Sequence, residues 1–202
     1  MHDSTDQVID LPALKAKAIE LLQSTERENI DGLIQYLDNH TDYFTAPASS
    51  QFHGAYFGGL VDHSLAVYEN LCKLVEQFEI PAKPESIVLV ALLHDLCKTN
   101  FYKVGHRNRK NETTGQWEKV EVFEIDDKMP LGHSEKSIIL IQQFIKLNKE
   151  ETLAIRWHMG AFDDSVQGGY GGMKALSTAY KMCPLAVAMH MADMATSYFD
   201  GK

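Results

Sequence analysis

Apolar residues recur along most of this chain at the three- and four-residue spacing of one helix face, and a single stretch departs from that pattern. Leu14, Ala18, Leu21 and Leu22 form one stripe and Ile30, Leu33, Ile34 and Leu37 another, so residues 11–40 predict two short packing helices. Residues 41–59 are rich in small residues and Pro47 and predict an irregular connection ending at Gly58-Gly59, followed by a helix over about 60–78. Pro81 and Pro84 interrupt the chain, and residues 85–98 restore the helical pattern with Ile87, Val90, Leu93 and Cys97 on the apolar side. Between 101 and 125 the period drops to two: FYKVGH and WEKVEVFEI alternate around the polar NRKNETTG, which predicts a β-hairpin. Helices are expected again at 133–147 and 149–158. The glycines at 160, 168, 169, 171 and 172 mark a long flexible loop, and a short helix near 174–181 precedes a closing helix that opens on Pro184 and reaches about Phe199. No internal repeat or low-complexity segment interrupts this order. The expected architecture is an all-α helical bundle with a small β-hairpin insertion at about 101–125. It reads as one domain over 1–202, with the helices of about 11–40 packed on the core.

A chain of 202 residues can bury a sizeable core without disulfides, and 45% hydrophobic with 23% charged residues excludes both a disordered and a fibrous chain. The longest apolar run, 87–93, is too short to cross a bilayer, and the start MHDSTDQ lacks a basic segment followed by an apolar one. A cytoplasmic protein without a membrane partner is expected. Cys72, Cys97 and Cys183 are odd in number, far apart and set in apolar sequence, which suits reduced, buried thiols; no CxxC pair suggests a zinc ribbon. A net charge of −9 repels a phosphate backbone unless basic residues are concentrated in one place. Lys103, Arg107, Arg109 and Lys110 form one such acid-free cluster, which is either a solvated loop or a phosphate-attracting rim beside a site.

The informative positions are polar residues set into apolar helical stripes. His63 continues the stripe of Val67, Leu71 and Leu74; His94 follows Ile87 and Val90; Asp193 falls one turn after His190 and two after Ala186. Burying even a neutral polar group without a partner costs roughly 2–7 kcal/mol, so a shared metal ion is the simplest common partner. Asp95 adds a second carboxylate, and on a continuous helix it points about 100° away from His94, so both reach one ion only from the side between them. A lone core histidine is more often a satisfied packing residue, but that explanation has to hold at several positions together.

The segments GGLVDHSL, ALLHDLCK and HMADM resemble the three metal-binding segments of the HD superfamily, a histidine, then a His-Asp pair, then a distant aspartate, over roughly residues 53–200. The resemblance implies an HD-domain helical bundle in which His63, His94, Asp95 and Asp193 bind a first divalent metal. The wording HGAYFGGLVDHSL, LLHDLCK, LGH, WHMG and HMAD is most similar to the HD domain of bacterial 3′-to-5′ exoribonucleases. Those proteins carry an OB-type domain ahead of the HD domain, whereas the first 50 residues here are too few and too helical for one, which disfavours long nucleic acid. Cys97 stands where that family usually has glycine.

In HD proteins with two metals, two extra histidines bind the second ion. The resemblance gives those places to His133, in PLGHSEKS, and His158, in RWHMG, with Asp95 as the bridge; the alternative is that both line a one-metal pocket. One or two ions per chain are expected, and mixed nitrogen and oxygen donors suit manganese, iron, cobalt, nickel or zinc better than calcium or magnesium. The implied activity is phosphate-ester hydrolysis by metal-activated water on a small nucleotide or short oligonucleotide, with Asp95 and Lys98 catalytic. Lys98, one turn after the His-Asp pair, would reach a phosphate oxygen, unless it is a surface lysine at a helix end. His53, Arg156, Arg107 and Arg109 are further candidate substrate contacts, and His190 either supports a ligand or only packs. The same ligand order is similar to that of HD-type di-iron oxygenases such as the inositol oxygenase group. A catalytically idle nucleotide-binding module is the third reading.

Overall fold

In the computed structural model, which describes residues 9–51 and 54–200, there are nine α-helices and one β-hairpin, and all but one short helix follow the order read from the sequence. Helices α1 (Leu11–Ser24) and α2 (Ile30–Asn39) bury Ala18, Leu22, Ile30, Leu33, Ile34 and Leu37 against one continuous hydrophobic core. Asp10 caps α1 by accepting from the Ala13 N–H. Helix α3 (Gly59–Gln77) opens in a crowded corner, where a Cβ on Gly59 would lie 2.1 Å from the Gly54 carbonyl oxygen. It packs against α4 (Pro84–Leu93) and α9 (Pro184–Ala195).

Pro84 begins α4 at a position where its missing N–H is harmless. Every residue from Ser86 to Leu93 is buried, so this helix is apolar all round, as a central one must be. Helix α5 (His133–Gln142) is shorter than the expected 133–147. Helix α6 (Lys149–Arg156) starts in a capping box between Asn148 and Glu151. The buried Glu151 also accepts from Ser86 Oγ at 2.6 Å and pairs with Arg27, which ties α6 to α4 and to the α1–α2 connection.

The glycine-rich segment is more ordered than expected. After a 3-10 turn at Gly160–Phe162 come α7 (Asp164–Gln167) and α8 (Tyr170–Met182), so Gly171 and Gly172 lie inside a helix. The reason is close approach: a Cβ on Gly172 would meet the Ser165 carbonyl oxygen at 1.9 Å, and glycine alone lets α8 start against α7. Helix α9 ends at Ala195 and the chain continues in a wider turn through Asp200.

Strands β1 (Tyr102–Lys110) and β2 (Trp117–Ile125) pair antiparallel from Tyr102↔Ile125 to Lys110↔Trp117. The hairpin touches the helices at its base, where Phe123 meets Phe57 edge to face at 5.3 Å and Lys136 lies 5.0 Å from the Phe101 ring centre. Its far end is exposed, with Trp117 71% accessible. The register modifies the basic cluster, because Glu124, Glu121 and Glu118 stand opposite Lys103, His106 and Arg109, leaving Arg107 facing Val120 and Lys110 facing Trp117. All three cysteines are free, and among the described residues no helix is long and apolar enough to cross a membrane.

Candidate metal centre

Helices α3 and α9 deliver His63 and Asp193 from their apolar stripes, with His63 Nε2 3.1 Å from Asp193 Oδ1. The His94-Asp95 pair arrives differently from the expectation. Helix α4 ends at Leu93 instead of running to 98; His94 caps it, and Asp95 leaves the helix at φ −100°, ψ 20° before a 3-10 turn over Leu96–Lys98. The cause is tertiary: the Cys97 N–H, which a continuing helix would direct at a carbonyl one turn back, donates to Ser137 Oγ on α5 at 3.0 Å. The offset of about 100° expected on a continuous helix therefore does not govern the two side chains.

His133, the first residue of α5, and His158, just after α6, complete the cluster. Neighbouring imidazole centres lie 5.5 Å apart for His63 and His94, 4.9 Å for His94 and His158, and 5.3 Å for His133 and His158. Asp95 sits among them. Its Oδ2 is 2.7 Å from Lys98 Nζ, 3.4 Å from His94 Nε2 and 3.9 Å from His63 Nε2; its Oδ1 is 2.7 Å from His133 Nε2 and 3.7 Å from His158 Nε2.

His94 Nδ1 donates to the Ala91 carbonyl at 2.8 Å and His158 Nδ1 to the Ile155 carbonyl at 2.7 Å. A carbonyl can only accept, so Nδ1 carries a proton in both rings, and in the neutral ring each Nε2 presents a lone pair to the cluster. Both Nε2 atoms are buried without a hydrogen-bond partner among the described residues. Buried polar atoms are rarely left so, and two within one nest of imidazoles and carboxylates fit a cation. Three overlapping sets, His63/His94/Asp193, His94/Asp95/His158 and Asp95/Cys97/His133, each bring their donor atoms within 4.8 Å of one another.

Burial alone would push the Asp95 carboxyl up, but Lys98, His94, His133 and His158 hold it well below the usual carboxylate range. Asp193 is likewise held down, chiefly by His63 against the opposing effect of burial. Burial lowers Lys98, and Asp95 more than reverses this, so the ammonium stays charged. Burial keeps His158 below its ordinary value, while the neighbouring Cys97 and Asp95 overcome burial at His133 and push it up to about 10.

A cavity of about 450 Å³ opens onto the cluster. Asp95, Lys98, His158 and Asp193 form its charged side, and Met159, Phe162, Met194 and Tyr198 its apolar side. A larger surface recess of about 750 Å³ beside Arg27, Phe144 and Asn148 holds none of the cluster's side chains. His190 lines the smaller cavity and donates from Nδ1 to the His158 carbonyl at 2.6 Å. Gly160, at φ +54°, rests on the same imidazole, where a Cβ would lie 2.5 Å from His190 Cε1. His190 thus positions the turn that carries His158 and Met159, a role its helical spacing left undecided.

Of the remaining candidates, Arg156, Arg107 and Arg109 lie outside the cluster. Arg156 is held by Glu135, Asp163 and Ser165 over the Trp157 ring and does not line the cavity. Arg107 and Arg109 are exposed on β1, about 17 and 23 Å along the strand from Tyr102 at its usual rise. His53 lies outside the described residues.

In comparisons with known proteins, residues 60–194 match the family described as HD domain. Over 117 residues the chain is 28% identical to the dihydroneopterin 2′,3′-cyclic phosphate phosphodiesterase of Methanocaldococcus jannaschii, a match covering 56% of this chain and 43% of that protein. The chain therefore spans less than half the length of this relative. No solved structure matches it.

Proposed function

The chain belongs to the HD-domain family, and from that premise we propose that it is a metal-dependent phosphohydrolase acting on a phosphate ester of a nucleotide or short oligonucleotide. The carrying observation is one buried carboxylate divided between two sets of imidazoles, with Asp95 Oδ2 towards His63 and His94 and Oδ1 towards His133 and His158. We assign His63, His94, Asp95 and Asp193 to one divalent ion and Asp95, His133 and His158 to a second, with Asp95 as the bridge. Two unpartnered buried lone pairs support the fit, and the nitrogen and carboxylate donors suit manganese, iron, cobalt, nickel or zinc. When bound, such ions supply Lewis-acid stabilisation of phosphoryl charge and an activated water.

The chain's own groups prepare the site. The Ala91 and Ile155 carbonyls fix the tautomers of His94 and His158. Lys98, kept charged beside Asp95, holds a phosphoryl oxygen at the cavity wall. The apolar side receives the organic half of the ester, and about 450 Å³ is the size of a small-molecule site. Lys98 is the sole lysine or arginine among the described lining residues, which favours a substrate with one phosphate over a polyphosphate. The activity named for the archaeal relative supports a cyclic phosphodiester as the substrate class. The motif wording shared with exoribonuclease HD domains extends the candidates to short oligonucleotides, whose far end Arg107 and Arg109 would meet.

The test is a screen of chelator-stripped, manganese-reloaded protein against 2′,3′- and 3′,5′-cyclic nucleotides, nucleoside monophosphates, dinucleoside polyphosphates and short RNA. Metal-dependent cleavage is expected, with single-phosphate substrates ahead of polyphosphates and no activity in Asp95→Asn. Oxygen uptake by iron-loaded protein without ester cleavage would reassign the chain to oxygenase chemistry. Nucleotide binding with no turnover under any metal would make it a sensor module.

A further inference from the structure

We propose that the outer part of the β-hairpin is a docking surface for a short single strand of nucleic acid, with Trp117 stacking on a base while Lys110 and Lys119 hold the phosphates beside it. None of the three lines the metal-centre cavity, so the proposal adds a second binding surface and is tested apart from the hydrolase reading.

The ladder register carries the argument. Directly paired residues of an antiparallel ladder share a face, as do residues two apart on one strand. Lys110 pairs with Trp117 and Asn108 with Lys119, so these four side chains form one patch on one side of the outer ladder. All four are exposed, and Trp117 at 71% contrasts with Trp157, which packs in the helical body at 8%. The Cβ of Lys110 stands about 4.5–5.5 Å from that of Trp117 across the ladder, and Lys119 lies about 7 Å along the strand. Two cations therefore flank one open indole. Glu118, the acid next to Trp117, belongs to the opposite side, across from Arg109, and accepts from Asn111 Nδ2 at 2.8 Å. The connecting loop is fixed as well. The Asn111 N–H donates to the Gln116 carbonyl at 2.8 Å, and Asn111 Oδ1 accepts from the N–H groups of Thr113 and Thr114 at 2.9 and 3.0 Å. A patch held in place beforehand loses less freedom when a partner docks.

Charge complementarity selects the partner. The chain carries −9, yet residues 107–120 hold Arg107, Arg109, Lys110 and Lys119 against Glu112 and Glu118. A polyanion is thus repelled by the body of the molecule and drawn to this arm. Cations along the backbone combined with an aromatic platform for the bases is a sequence-tolerant way to hold single strands, whose bases are open to stacking. A membrane fits less well, because residues 111–116, NETTGQ, which would enter it first, are polar or glycine throughout and carry an acid.

The experiment uses the whole chain, chelated so that no metal-dependent cleavage intervenes, and an oligouridine of about eight nucleotides, within the roughly 4–16 that single-strand sites span. The oligouridine should quench the exposed Trp117 emission saturably at low salt, over the background of buried Trp157. With a labelled strand followed by anisotropy, Lys110→Ala and Lys119→Ala should each make the slope of log K against log salt shallower by about 0.7. Trp117→Ala should weaken binding by about 5–150-fold, the loss of one stacked base, with the salt slope kept, and Trp117→Phe should restore much of it. No quenching at low salt, or an affinity unchanged in Trp117→Ala, would overturn the proposal. So would equal affinity for duplex RNA, or a preference for polyglutamate or anionic phosphatidylserine vesicles, either of which would give the patch another occupant. Cleavage of phosphate esters without oligouridine docking refutes this surface and leaves the hydrolase reading standing; docking without cleavage under any metal does the reverse.

Discussion

Lys98 and Lys103 stand five residues apart in the chain, one in the cluster around Asp95 and the other on the hairpin, and their surroundings differ in every physical respect. Lys98 is 18% exposed, its ammonium 2.7 Å from a buried carboxylate that also faces four imidazoles. Lys103 is exposed on β1 with Glu124 across the ladder, one of several opposed charges in open solvent. Around Asp95 each group sets the charge and position of the next, so single changes there are expected to propagate. On the hairpin, water screens each pair and changes should add with little cost, since exposed ion pairs contribute about 0–1 kcal/mol.

The largest effect that would test this contrast is at its centre. Asp95→Asn preserves shape while removing the charge shared by both proposed ion positions, so metal content and turnover should fall together, by more than about 100-fold in turnover if a ligand outweighs the groups that orient it. Elemental analysis alongside steady-state kinetics checks this, and a variant with full metal and full turnover would show that Asp95 bridges nothing.

Two glycines sharpen the comparison at equal backbone cost. Gly160 and Gly115 have φ of +54° and +70°, so alanine at either meets a left-handed strain of roughly 1–2 kcal/mol. At Gly115, in the hairpin loop, nothing lies within 4 Å of the added carbon, whereas at Gly160 it lies 2.5 Å from His190, which holds the His158 carbonyl. Gly160→Ala should therefore lower Tm further than Gly115→Ala and also reduce metal affinity, while Gly115→Ala leaves affinity unchanged. Equal losses in both measurements would mean that the two regions are coupled after all.

Chelated protein offers a third, smaller effect. His133 is raised to about 10, so its protonated form contributes stability fully below its unfolded value of about 6.5, and this is lost as pH rises towards 10. His158 is lowered by burial, so its contribution is present above about 6.5 and is lost as pH falls below it; Asp95 and Asp193, also lowered, lose theirs only below about 3.9. Metal-free stability should thus peak near pH 6.5. Metal affinity rises with pH as protons leave the ligands, so the gap in Tm between loaded and chelated protein should widen from about pH 6.5 to 9. Thermal melts with and without chelator measure that gap, and a constant one would contradict proton competition at this cluster.

His63 and Asp193 were legible in the sequence because each interrupts an apolar stripe on a helix that keeps its period to the end. The break after Leu93 was not: ALLHDLCK continues the helical pattern, and the group that stops it, Ser137, is forty residues away from Cys97. The early start of α8 was hidden for a related reason, since glycines that read as loop serve a close approach to Ser165. The apolar side of the cavity draws on the turn after α6 and on the end of α9, a juxtaposition that no local spacing encodes. On the hairpin, the basic cluster was visible but its opposing acids were not, because their position depends on register.

That register leads to the smallest expected effect. Arg107 faces Val120, while Arg109 faces Glu118, so removing Arg107 subtracts a less compensated charge. Neither lines the cavity, so their influence on a mononucleotide bound there is long-range attraction, which salt weakens within about 10 Å at 0.1 M. Arg107→Ala should therefore leave metal content, Tm and turnover of a cyclic mononucleotide unchanged. It should raise KM for an oligonucleotide by less than about tenfold at low salt and not at high salt, with Arg109→Ala weaker still. A large loss of mononucleotide turnover in either variant would place the hairpin inside the catalytic unit, and the contrast between a coupled centre and an independent arm would fail at the arm.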